Sequence, residues 1–266
     1  MKTAVAKDKA GPQTPPPATG KKPRPAPAAP EIDAALVETT MPDRATDKVI
    51  NAISDGIRTG LFVPGQHLLE PDLTRRLGVS RGSLREGLKH LAAAGIVTLN
   101  RFRGAYIAEL DRKSVFDLIE AFEPLARLAA RLAAQRCDTP EKEALLIASS
   151  GRIEAASKTS DRAAYIAERR TFYDVLLEIG ENRELARIMP LIRLDLVRVQ
   201  VEMIQTEQQR KKHSAGYARI TKAILNRDPG GAERAMGRHF EGARKLVLEL
   251  PLRAFGSESA EHPSHA

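Results

Sequence analysis

Three residues, Gly78-Val79-Ser80, separate two short runs of helical hydrophobic spacing, and this break constrains the chain more than any bulk property. Before it, Leu73 and Leu77 fall one turn apart on a helix expected from about Pro71. After it, Leu84, Leu88 and Leu91 recur at four- and three-residue intervals. That spacing lines one face of an α-helix. A glycine ends the first helix by entering left-handed backbone, and a serine oxygen caps the second. Two helices joined by so tight a turn adopt the helix-turn-helix geometry.

Beside the apolar stripe of the second helix, Arg81, Arg85 and Lys89 recur every four residues, with Ser83 near its N-terminal end. A helix that reads the major groove needs this division, with one face fixed to its domain and basic side chains free for phosphates and guanine edges. A solvated surface helix carries the same stripe, so the helix alone leaves both readings open. Gly82 and Gly87 each cost roughly 1 kcal/mol of helix propensity against alanine, and each permits close approach of a phosphate or a packed neighbour. The next segment favours DNA. Gly95–Leu99 reads as a strand, Asn100–Gly104 as a turn carrying Arg101 and Arg103, and Ala105–Ala108 as the return strand. The pair forms a wing with a basic tip, suited to the minor groove or backbone. Upstream, Val49, Ile50, Ile53 and Ile57 share one helical face, with Thr46 or Asp47 available as cap and Gly60 as stop.

Residues 45–108 thereby resemble the winged helix-turn-helix of the GntR family of bacterial regulators. The resemblance is carried in order by Pro64-Gly65, Leu68, Glu70, Leu73, Gly78-Val79-Ser80-Arg81, Leu84-Arg85-Glu86, Leu88, Leu91, Gly95 and Arg103-Gly104. It implies that Arg81 and Arg85 contact double-stranded operator DNA and that Ser80 and Ser83 bind phosphate. Arg103-Gly104 would form the wing tip. Pro71 stands where many members carry an arginine, which removes one expected contact.

Residues 112–252 read as about six amphipathic helices with no strand. The breaks fall at Asp138-Thr139-Pro140, Lys158-Thr159-Ser160, Gly180-Glu181-Asn182 and Asp228-Pro229-Gly230-Gly231. Phe122-Glu123-Pro124, the run Ala129–Ala134, Phe172 with Asn182, and Ala235-Met236 with His239 make this block similar to the all-helical FCD effector domain of the FadR-like branch. The fold expected is therefore mainly α, a winged helix-turn-helix followed by an antiparallel helical bundle that binds ligand and dimerises. Many members of that branch hold a divalent metal on one carboxylate and three histidines. Here the resemblance places Arg169, Tyr173 and Tyr217 at three of those positions and keeps only His239. His213, one turn before Tyr217, adds one more imidazole. A guanidinium repels a cation, so no metal and no cofactor is expected. Arg169, Tyr173, Tyr217 and His239 together suit an anionic metabolite. They equally suit core tyrosines, a solvated arginine and a hydrogen-bonded core histidine. Arg193 is a further candidate, whereas its neighbours Asp195 and Arg198 read as a surface ion pair.

Composition narrows the field further. Forty-two Lys and Arg against 34 Asp and Glu give a formal charge of +8, which suits an anionic partner without naming it. A single cysteine, Cys137, excludes an internal disulfide and points to a reducing, cytoplasmic setting. No apolar run approaches the roughly 20 residues of a membrane span, and no signal-peptide core opens the sequence. Residues 1–40, rich in Pro, Ala and Lys, and residues 253–266 read as disordered tails flanking domains at 41–110 and 112–252. No phosphate loop, nucleophile elbow or HExxH is present, and no histidine neighbours Cys137, so an enzyme is not expected. The sequence thus reads as a ligand-responsive, homodimeric repressor. An architectural DNA-binding dimer without effector is the other reading.

Overall fold

The computed structural model describes residues 44–189 and 191–256. The expected tail over 1–40 lies outside them, as does the last stretch of the other. Helix α1 (Arg44–Arg58) is followed by strand β1 (His67–Leu68), α2 (Glu70–Leu77), α3 (Arg81–Ala93), β2 (Val97–Asn100) and β3 (Gly104–Ile107). Val49, Ile53 and Ile57 of α1 are fully buried with Leu84, Leu88 and Leu91 of α3, as their spacing requires. Thr46 is not a cap, because it is buried inside α1. The turn forms as its residues dictate. Gly78 takes φ 61°, and Ser80 Oγ accepts the Ser83 amide at 3.0 Å. The two glycines of α3 separate by role. A Cβ at Gly87 would lie 2.7 Å from Val49 Cγ1, so its absence lets α1 and α3 close together. Gly82 is exposed, with no atom nearer than 3.7 Å to its hypothetical Cβ.

The wing is antiparallel, with Val97 opposite Ile107 and Asn100 opposite Gly104. A third strand, β1, pairs with β3 and gives the order β1-β3-β2. Two residues are too few to show alternation, so β1 had no signature in the sequence.

The helical block comprises α4 (Arg112–Arg136), α5 (Pro140–Ser157), α6 (Arg162–Gly180), α7 (Arg183–Ile188), α8 (Leu191–Glu202), α9 (Glu207–Leu225), α10 (Pro229–Glu249) and a 3-10 turn (Leu252–Ala254). Seven α-helices are described here against about six expected. The extra boundary falls at Met189, which is extended (ψ 112°) as the residue before a proline must be. Asp111, Thr139, Asp161, Asn182, Thr206 and Asp228 each cap the following helix through a side-chain oxygen. Helix α4 packs on α10 and α6, and α9 packs on α10 and α5.

Two expectations are corrected. Residues 253–256 are not a free tail: Ala254 and Phe255 are buried, and Arg112 lies 5.0 Å over the Phe255 ring. Asp195 and Arg198 do not form a surface pair, since both are almost completely buried on α8, a helix in which nearly every residue is buried. Helix α8 also reaches the N-terminal module. It packs against α1, and the buried Gln200 side chain donates to the Leu110 and Ala254 carbonyls while accepting the Leu110 amide.

Candidate functional site

Helix α3 presents Arg81, Arg85 and Lys89 outward, all three exposed, with the Leu84-Leu88-Leu91 face turned inward. Arg85 is not loose: its Nε donates to Glu70 Oε2 at 3.2 Å, which ties the guanidinium to the start of α2. Lys89 pairs with Glu86 at 3.1 Å. Ser80 and Ser83 lie at the N-terminus of α3, their hydroxyls 3.0 Å apart, where backbone N–H groups and the helix dipole favour phosphate. Arg75 and Arg76 of α2, exposed beside Asp72, add positive charge that sequence reasoning passed over. The wing tip carries Arg101 and Arg103 exposed. Asn100 Oδ1 accepts the amides of Phe102 and Arg103, at 3.0 and 3.2 Å, and so fixes the turn. Gly104 closes it at φ 85°, with room only for the His67 ring that stacks on Tyr106 at 4.6 Å.

The second candidate site is inside the helical block. Arg169, Tyr173, Tyr217 and His239 line one cavity of about 50 Å³ at the meeting of α6, α8, α9 and α10. Arg193 does not line it. That side chain lies instead against Gly95 of the N-terminal module, 3.1 Å from where a Cβ would stand. The arginine on the cavity wall is Arg198. Its Nη1 binds Asp195 Oδ1 at 2.6 Å, and Arg170 binds the other Asp195 oxygen at 2.7 Å. Its Nε and Nη2 are buried with no well-aligned hydrogen bond among the described residues, the Tyr173 hydroxyl being the polar group beside the guanidinium. The Tyr173 ring lies beneath the guanidinium at 5.0 Å. Arg169 Nε donates to the Tyr217 hydroxyl at 3.2 Å, and its guanidinium sits 5.3 Å from the Tyr165 ring. His213 and His239 face each other with ring centroids 4.4 Å apart.

Electrostatics follow from this crowding. Burial, reinforced by Arg169 and Arg198, pushes the His239 imidazole down to about 3. Burial and Arg169 likewise hold His213 well below the usual histidine range. Both rings are neutral at pH 7, so the fixed positive charge of the chamber belongs to the arginines. Burial raises the Tyr173 and Tyr165 hydroxyls, which therefore stay protonated donors. Burial also raises the Glu202 carboxyl, against the opposing pull of Arg169 and Arg210, the latter paired with it at 2.7 Å.

Two family models match the chain: bacterial regulatory proteins of the gntR family over residues 45–107, and the FCD domain over residues 117–242. An uncharacterised HTH-type transcriptional regulator, Rv0494 of Mycobacterium tuberculosis, is 31% identical over 159 residues, 53% of this chain and 64% of the relative. This chain therefore spans less than two thirds of that protein's length. Another HTH-type regulator, from the TAR-I ttuE-ttuC' intergenic region of Agrobacterium vitis, is 31% identical over 133 residues, 48% of this chain and 75% of the relative. This chain belongs to the GntR family. Its fold is also that of the E. coli protein McbR/YncC, with a TM-score of 0.68 at 17% identity over 78% of this chain and 98% of the other.

The metal that many FCD domains hold does not fit this one. By the resemblance, the Arg169 guanidinium stands where a carboxylate would be needed, and the Tyr217 oxygen already accepts from Arg169. Among the described residues, no group of three His, Cys, Asp or Glu converges as a ligand set. No described helix is long and apolar enough to cross a membrane. Cys137, at the end of α4, is buried, and burial raises its thiol, so the nucleophilic thiolate is disfavoured.

Proposed function

We propose that this GntR protein is a homodimeric, sequence-specific DNA-binding repressor whose operator affinity is set by a small anionic metabolite bound between α6, α8, α9 and α10. Arg81 and Arg85 read base edges. Ser80, Ser83, Lys89, Arg101, Arg103 and the Gly104 backbone engage phosphate or the minor groove. A two-fold dimer supplies the surface that a single winged module lacks. The observation that carries the effector reading is Arg198. A guanidinium almost completely buried on a cavity wall, with Nε and Nη2 offered only the neighbouring Tyr173 hydroxyl, is costly unless a stronger acceptor joins it. A carboxylate or phosphate in reach of Arg198, Arg169 and the Tyr217 hydroxyl satisfies those groups. Helix α8 carries Arg198 on the chamber and Gln200 on the interdomain linker, so a ligand that moves α8 biases the winged modules.

The test begins by sequencing DNA captured by the purified protein, since neighbouring genes indicate the metabolite. Operator binding is then followed by fluorescence anisotropy with and without that metabolite, after light scattering has established the dimer. Wild type should release DNA when the acid is added. Arg198→Met and Arg169→Ala should bind operator normally and ignore the acid. A full response in both variants places the ligand elsewhere. An operator affinity indifferent to every acidic metabolite of the neighbouring pathway favours the architectural dimer.

A further inference from the structure

Phe102 stands in the turn between β2 and β3, at the tip of the wing, and is 91% exposed, while the other phenylalanines are buried or half-buried. A lone exposed apolar side chain calls for no explanation by itself. Its surroundings set this one apart. The turn that carries it is braced: Asn100 Oδ1 accepts the Phe102 and Arg103 amides, and the His67 ring fills the space beneath Gly104. The ring is flanked by Arg101 and Arg103, both exposed, and neither guanidinium has an ion-pair partner among the described residues. The Arg101 guanidinium lies 6.0 Å from the Phe102 ring centroid. No acidic residue occurs from Val97 to Ala108. The wing is also fixed to the helix-turn-helix, because β2 packs against α3.

Charge and shape together select the partner. Two unpaired cations attract a polyanion, and a hairpin free of carboxylates sets nothing against it. A phenyl ring carries no hydrogen-bonding group, so it reads neither a base edge nor a phosphate. On a duplex, the surface that can cover its apolar faces is the stack of bases. The minor groove, about 6 Å wide, admits a narrow tip that presents one ring.

We infer that Phe102 is a wedge: with the wing in the minor groove, its ring enters between two base pairs beside the segment read by α3, while Arg101 and Arg103 hold the flanking phosphates. This rests on the proposed DNA contact of the wing and adds what the tip does there. The ring unstacks one base step, opens the minor groove and bends the duplex toward the major groove. Pyrimidine–purine steps unstack most easily, so the protein prefers such a step at a position that no hydrogen bond reads. The braced turn keeps the ring extended before DNA arrives, so little freedom is lost on insertion.

The test uses the full chain and a short duplex that it selects from a random-sequence pool, with dyes at the duplex ends and 2-aminopurine placed at each flanking step in turn. Wild type should raise the 2-aminopurine fluorescence at one step per half-site, the sign of unstacking, and increase energy transfer between the ends as a bend of about 20° or more requires. Phe102→Ala changes an exposed residue and leaves the fold intact. It should abolish both signals and weaken binding about tenfold, the size of one lost aromatic–base contact, at an unchanged salt dependence. Arg101→Ala should instead lower the slope of log affinity against log salt by about one. Unstacking and bending that persist in Phe102→Ala overturn the wedge alone, and so does a straight, fully stacked duplex under wild type. Self-association of the DNA-free chain that is lost in Phe102→Ala, by light scattering, assigns the ring to a contact between copies and also overturns it. Failure of wild type to select any duplex removes the DNA-binding reading and this inference together.

Discussion

Replacing Gln200 with leucine should destabilise the protein by about 2–4 kcal/mol, the cost of stranding two buried backbone groups. The Gln200 side chain is 5% exposed and makes three hydrogen bonds: it accepts the Leu110 amide at 3.1 Å and donates to the Leu110 and Ala254 carbonyls at 2.7 and 3.0 Å. The three losses are not equal. The Leu110 carbonyl keeps the Gly256 amide at 3.1 Å, so it remains satisfied. Among the described residues, the Leu110 amide and the Ala254 carbonyl have no other partner, and both residues are buried. Two orphaned groups at about 1–3 kcal/mol each, eased where water reaches them, give the stated range. Leucine nearly conserves volume, so cavity formation adds little. Urea unfolding followed by circular dichroism measures the change as a lower midpoint at an unchanged slope. A loss below about 1 kcal/mol would refute the claim that this side chain satisfies the linker backbone.

Arg81→Ala and Arg85→Ala should each cost about 1–3 kcal/mol of operator affinity and relax base preference, as read by anisotropy against operator variants. Lys89→Ala should weaken all sequences alike and lower the salt dependence. Unchanged affinity in both arginine variants removes α3 from the role of recognition helix. The histidine pair makes stability pH-dependent. His239 and His213 titrate lower when folded than when unfolded, so the unfolded chain takes up protons first. Stability is then level above about pH 6.5 and falls as pH drops below it, by up to about 1.4 kcal/mol per unit for each ring. For His239 the decline ends near 3. Unfolding midpoints measured between pH 7 and 5 should show it, and His239→Gln should flatten it; an identical slope in that variant assigns the dependence to other groups.

Local chemistry made much of this protein legible without coordinates. Leu84, Leu88 and Leu91 set the buried face of α3 by spacing alone, and Ser80, Thr139 and Asp228 cap their helices because the partner amide is three residues away in the same chain. Gly78 and Gly104 hold positive φ for the same local reason. The gathering of Arg169, Tyr173, Tyr217 and His239 was readable only through resemblance, since they come from three helices and no periodicity links them. What tertiary structure decided was every case in which a partner is distant in sequence. Arg198 looked like half of a surface ion pair with Asp195, yet α8 is enclosed and the pair is internal. Arg193, two residues before Asp195, went the other way, to Gly95 at the interdomain contact. Strand β1 exists only through its pairing with β3, and residues 253–256 are held in place by contacts with Gln200, Arg112 and Leu110. A sequence window records which side chains share a face of one helix. Which faces meet, and hence which charges lose their water, depends on packing between segments tens of residues apart.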